Sequence, residues 1–248
     1  MTVLTRLERR VCVDGVNNGS PNRAKHLCNR GKNMGRAWPI LILLGFCQFC
    51  ASWGSLAIIA VQVEMRSGLE VTAREIAALV WAFSFSLALG APLAQALIGH
   101  WSRRVVLLAS LLLLTVGAIG LGFAQSWGQA MVARVMMAAG AASVMPTASV
   151  IAASVVPEHQ RPAALSVVFG GLTASLVVAM PISSAVAEAF GWRAAWFVAG
   201  GAAFAAAVGV MVGVPGSVRG TRESLGAMLQ DLSNHASGLT IEKNELQI

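Results

Sequence analysis

The sequence predicts an all-α membrane protein built as a six-transmembrane-helix bundle, and three observations carry that prediction. First, of 248 residues 56% are hydrophobic and only 12% charged, with a mean hydropathy of +0.68. A soluble domain carries roughly 25% charged residues and cannot bury so much apolar sequence in its core. Second, six apolar stretches follow one another from Trp38 onward, each close to the roughly 20 residues that a helix needs to cross about 30 Å of hydrocarbon. Third, the alternation of a barrel strand is absent, and helices are then the structures that satisfy their own backbone in lipid.

The spans are expected over Trp38–Val61, Ile76–Ile98, Val105–Ala124, Gln129–Val155, Ala164–Ala187 and Ala194–Val214. The first contains Gln48, the second Pro92, and the third Gly117 and Gly120. The fourth carries Arg134, Gly140 and Pro146, the fifth Gly170, Gly171 and Pro181, and the sixth Gly200 and Gly201. Small residues let helix backbones approach where no hydrophobic force drives association. Each in-span proline removes a backbone hydrogen bond and loosens or kinks its helix. Trp38, Trp101, Trp127 and Trp192 fall at span ends, where amphipathic rings favour the headgroup layer. The connections are short, apart from the charged segment Glu64 to Glu75, and residues 1–37 and 215–248 read as polar tails.

The chain has 18 Lys+Arg against 11 Asp+Glu, a net charge of +7. In a soluble protein this excess suggests nucleic acid; in a membrane protein it marks cytoplasmic loops, and no nucleic-acid partner is expected. With both termini inside, fourteen Lys and Arg are cytoplasmic, while Arg66, Arg74 and Arg193 lie outside and Arg134 within a span. Leaving out the N-terminal tail still gives six against three. The expected setting is a bacterial inner membrane, crossed by several spans with both termini cytoplasmic.

Arg134 is the most informative residue. A guanidinium at membrane depth costs at least about 2.5–3.5 kcal/mol, so it is expected to face the bundle interior or a water cavity, against the alternative of snorkelling to the outer headgroups. No Asp or Glu lies within the first four spans, which leaves Gln48 as the best polar partner. Arg103 and Arg104 open the third span from the cytoplasmic side, where a basic pair serves topology by itself. Cys47 and Cys50 form a C-x-x-C inside an apolar span, better explained by two small lipophilic side chains on one face than by redox chemistry. Cys12 and Cys28 lack the spacing of a zinc site. No metal, cofactor or disulfide is expected. With no H-E-x-x-H, G-x-S-x-G, P-loop or dinucleotide fingerprint, an enzyme is not expected either.

In combination these residues resemble the major facilitator superfamily, and within it bacterial drug or sugar efflux permeases of the proton-antiporter type. Gln95-Ala-Leu-Ile-Gly-His-Trp-Ser-Arg-Arg104 resembles the signature loop Gly-x-Leu-x-Asp-Arg-x-Gly-Arg-Arg, keeping Leu97, Arg103 and Arg104. It departs at Gln95, Gly99 and Ser102, and His100 stands at a basic position. Arg134 with Gly140 is similar to the family's fourth-span motif, Ala138 replacing its first glycine. Pro157 to Ala163 resembles the loop after span four, and Gly170-Gly171 through Pro181, with Phe190 to Trp196, resembles span five and the entry to span six.

The resemblance covers Met34 to about Pro215 and corresponds to an N-terminal six-helix half with a three-plus-three inverted repeat. It implies efflux of a small-molecule substrate held against spans one, two, four and five by alternating access. Its partners would be the bilayer and a second half or a second copy in a homodimer. The carboxylate that Gly99 replaces joins the family's loop charge relay, so the resemblance implies a relay that is weakened or replaced here. A non-transporting remnant or interaction subunit is the alternative. Residues 1–33 lack the apolar centre of a secretory signal, while Met34 opens a short lead-in, Met-Gly-Arg-Ala-Trp-Pro, directly before the first span. Met34 is therefore the expected start, with residues 1–33 a start-site artefact or a disordered tail. N-terminal sequencing of the native product should begin there, and a chain starting near residue 1 would refute it.

Overall fold

In a computed structural model of the chain the backbone is described over residues 21–98 and 101–214, and side chains over 37–94 and 101–214. These residues form six helices: α1 (Pro21–Leu69), α2 (Ala73–Ile98), α3 (Arg103–Gly122), α4 (Trp127–Val155), α5 (Arg161–Phe190) and α6 (Trp192–Gly213). A 3₁₀ turn, Glu158–Gln160, precedes α5. All six helices are long and apolar enough to span a membrane, as the sequence predicts. Of the tail expected over residues 1–37, residues 21–37 form the first part of α1, so this helix begins well before Trp38; residues 1–20 and the linker expected over 215–248 lie outside the described residues.

The connection expected over Glu64 to Glu75 is shorter than the charge pattern implies. α1 continues to Leu69, because a helix that has left the apolar layer keeps its backbone paired while its charged side chains meet water. It stops where Glu70 takes a positive φ of 55° and the Val71 N–H donates to the Arg66 carbonyl at 3.1 Å, a Schellman-type closure made without glycine. Two residues later Thr72 and Glu75 build a capping box for α2. The Thr72 N–H donates to Glu75 Oε2 at 2.8 Å and the Glu75 N–H to Thr72 Oγ1 at 3.3 Å, so two orphan donors of the helix start are satisfied together. Ser102 and Ser126 cap α3 and α4 in the simpler way, each accepting from an N–H three residues on. Between α5 and α6 a single residue, Gly191, turns the chain at φ 85°.

Helix packing follows an interleaved pattern. α1 packs chiefly on α5 and touches its neighbour in sequence, α2, only slightly; α4 packs on α2 and only modestly on α5. α3 lies on α4 just as α6 lies on α1, and the pairs α1 with α4 and α3 with α6 meet across the centre. Exchanging α1–α3 for α4–α6 therefore maps the main contacts onto one another, the pattern of a three-plus-three repeat, although α5 packs on α6 whereas α2 hardly touches α3. The burial is uneven. Only 17% of the apolar stretch of α2 and 28% of that of α5 is covered, against 44–61% in the other four helices. α2 in particular leaves Trp81, Phe85, Leu89 and Leu93 exposed, one on each successive turn.

Two contacts depend on the missing side chain of glycine. A Cβ at Gly140 of α4 would lie 2.6 Å from the Ser110 carbonyl oxygen and 2.7 Å from the Leu114 nitrogen of α3. A Cβ at Gly171 of α5 would run into the backbone carbonyl of Gly45 in α1. Backbone cannot yield as a side-chain tip can, and overpacking commonly costs about 1–3 kcal/mol. Gly170, next in sequence, has open space around it. Gly171→Ala is thus expected to lower the thermal unfolding temperature in detergent by several degrees, whereas Gly170→Ala leaves it unchanged. Equal melting of the two variants would refute the α1–α5 contact.

Candidate functional site

Arg134 sits in α4 with no solvent exposure, so the interior placement holds and snorkelling does not. Its Nη1 donates to the Gly54 carbonyl of α1 at 2.8 Å. The guanidinium lies over the Phe83 ring of α2 at 4.3 Å and at 5.8 Å from the Trp196 ring of α6. A desolvated cation over an aromatic face gains about 2 kcal/mol, which offsets part of the burial. Nε and Nη2 have no hydrogen-bond partner among the described residues. One side chain thus joins α4 to three other helices, with rings and a carbonyl where a counter-charge would ordinarily stand.

Gln48 is not the partner. The position expected from the sequence as Arg134's acceptor instead donates from Nε2 to Ser52 Oγ at 3.4 Å, one turn along α1. The physical reason is reach: the Gly54 carbonyl lies level with Arg134, and Gln48 lies almost two turns nearer the start of α1. Gln48 and Ser52 belong to a different feature, a cavity of about 400 Å³. From α1 it is lined by Gln48, Ala51, Ser52, Ser55 and Leu56. The facing walls are Leu87 and Ala91 of α2, Ala141, Ala142, Met145 and Pro146 of α4, and Leu172 and Leu176 of α5. These are the four helices against which the family resemblance implies a substrate.

The remaining motif residues are dispersed. Arg104 donates from Nη2 to the Met211 carbonyl in the last turn of α6, where a cation meets the negative end of the helix dipole. Arg103 is buried at the start of α3. Gly140 makes the α3–α4 contact, and Pro181 is an exposed residue within α5. The side chains of Leu97 and Gln95, and Gly99 and His100 altogether, lie outside the described residues. Cys47 and Cys50 are free thiols buried in α1.

Several participants escape sequence reasoning. Trp53 donates from Nε1 to Ser183 Oγ of α5 at 2.8 Å in the buried interior, and Phe83 and Trp196 enclose Arg134. Nothing local marks these aromatic residues among many others. Ser52 and Ser55 carried a usable signal, since with Gln48 they repeat at helical spacing along one face of an otherwise apolar span.

The profile of the Major Facilitator Superfamily matches residues 42–236. The chain belongs to this superfamily. It is 30% identical over 161 residues to the "Uncharacterized MFS-type transporter YbcL" of Bacillus subtilis (strain 168), covering 65% of this chain and 41% of that protein. It is 32% identical over 158 residues to the "Chloramphenicol resistance protein" of Streptomyces lividans, covering 63% and 40% respectively. The structure of the peptide transporter POT in complex with sulfate aligns with a TM-score of 0.62 at 14% identity, covering 86% of this chain and 46% of that one, a likeness of fold. The chain thus spans less than half the length of the relatives it matches. As a superfamily member with six apolar helices it is a multi-pass membrane protein.

The uncompensated charge of Arg134 sets a stability prediction for this superfamily site. Replacing even a buried ion pair by well-packed apolar side chains is often neutral or stabilising by about 1–4 kcal/mol, and Arg134 has no counter-charge to lose among the described residues. Arg134→Met is expected to melt at or above the wild-type temperature in lipid nanodiscs, while Arg134→Ala, which also deletes packing, melts below it. A marked loss of stability in Arg134→Met would show that the guanidinium contacts outweigh its desolvation.

Proposed function

We propose that the chain acts in the export of small molecules across a bacterial inner membrane by alternating access, with the cavity between α1, α2, α4 and α5 as one wall of the substrate site. The observation that carries this reading is the location of the cavity in a superfamily member: it is bounded by α2 and α5, the two least covered helices. Concave, mostly apolar spaces with a few polar groups are where small ligands bind.

The exposed face of α2, with Trp81, Phe85, Leu89 and Leu93, supports docking of a second six-helix half, either from a longer polypeptide or from a second copy, which would close the cavity from the other side. The excess of Lys and Arg on one side supports cytoplasmic termini. No carboxylate lines the cavity among the described residues, so in this reading a coupled proton is carried on groups other than these walls. The small-residue contacts and in-span prolines suit halves that rock as packed units.

Accumulation of a labelled antibiotic panel in cells with their native exporters deleted tests the proposal. Expression of the chain is expected to lower steady-state accumulation of at least one compound by about 2-fold or more, and Arg134→Ala to restore it. If accumulation is the same with and without the chain across the panel, export by this chain does not hold and a non-transporting membrane role takes its place.

A further inference from the structure

Among the described residues, the walls of the cavity carry no charged side chain and no aromatic ring. An organic cation leaving water needs a carboxylate or an aromatic face to offset its desolvation, and these walls offer neither. A sugar needs a partner for every hydroxyl, because each buried unpaired group keeps its desolvation penalty. The polar side chains here are Gln48, Ser52 and Ser55, all on one face of α1, and the facing walls from α2, α4 and α5 are apolar. The space therefore has a single polar edge.

That edge also has an open valence. Gln48 is 6% exposed, and its Oε1 has no hydrogen-bond partner among the described residues. Its Nε2 is engaged with Ser52 Oγ, and the Ser55 hydroxyl turns back to the Ala51 carbonyl at 3.5 Å. A buried amide oxygen without a donor is the group whose pairing a ligand gains most by completing.

We propose that this cavity takes an uncharged, largely apolar molecule bearing a hydroxyl or amide N–H, and that the Gln48 carboxamide is the specificity-determining residue that accepts from that donor. The proposal rests on the export reading and narrows its substrate class at the same site. Ser52 holds the carboxamide in place, and the apolar walls take up the body of the molecule.

The test is equilibrium binding to the purified full chain in lipid nanodiscs with three labelled probes: chloramphenicol, uncharged and carrying hydroxyl and amide groups; tetraphenylphosphonium, a cation; and lactose. Chloramphenicol is expected to bind saturably and better than the other two. Gln48→Leu should weaken it about 10-fold, with an unchanged melting temperature, and Gln48→Glu should bring in tetraphenylphosphonium. Preference of the wild type for the cation or the sugar, or a Gln48→Leu variant that binds chloramphenicol as tightly, would overturn the substrate class and leave the cavity as the binding site. Absence of saturable binding by all three probes would overturn both the substrate class and the export reading.

Discussion

Everything in this bundle depends on how closely its helix backbones approach, because apolar side chains gain nothing from leaving lipid for one another. Gly140 lets α4 settle on α3, and Gly171 lets α5 meet Gly45 of α1. These contacts set the height and rotation of α4 and α1, and so place the Arg134 guanidinium opposite the Gly54 carbonyl. They also fix which face of α1 turns towards α5, and with it the position of Gln48, Ser52 and Ser55 on the cavity edge. A bulkier residue at either glycine would alter the site without touching it.

The buried arginine and the cavity are separate solutions to one problem, polar groups in a place without water. Arg134 is held by a backbone carbonyl and the faces of two rings, an arrangement that demands no acidic residue anywhere in the bundle. Its role follows from what it bridges: α4, α1, α2 and α6 all contribute to one enclosure, so a shift of any of them is felt by a charge that has nowhere else to go. The cavity edge is softer. Its hydrogen bonds are long and local to α1, and the carboxamide can exchange them for bonds to a guest.

The existence and order of the six spans were legible because span length is imposed by membrane thickness, which composition reports directly. The interior position of Arg134 was legible for the same reason, from the cost of a charge at that depth. Its partner was not. The sequence shows which side chains are polar, whereas the acceptor is a backbone carbonyl, a group present at every residue and exposed to a guanidinium only by the packing of α1 on α4. The end of α1 was misread because charge between Glu64 and Glu75 marks where the chain meets water, which is a different event from where the helix stops. The Thr72 and Glu75 capping box was the local signal for the true boundary. The contact between Trp53 and Ser183 could not be foreseen from one chain, since nothing local tells which of seven tryptophans meets which serine across most of the bundle.

That contact, the Trp53 indole donating to Ser183 across 130 residues of sequence, has a consequence for how the protein is made. Synthesis runs at roughly 5–20 residues per second, so on the order of ten seconds separates the emergence of Trp53 from that of its acceptor. The first helix enters the bilayer with an indole N–H, a carboxamide and two serines and waits there for the fifth helix to reach it. The assembly of this bundle is therefore completed late, and the helix that leads the chain into the membrane is among the last to be fully held.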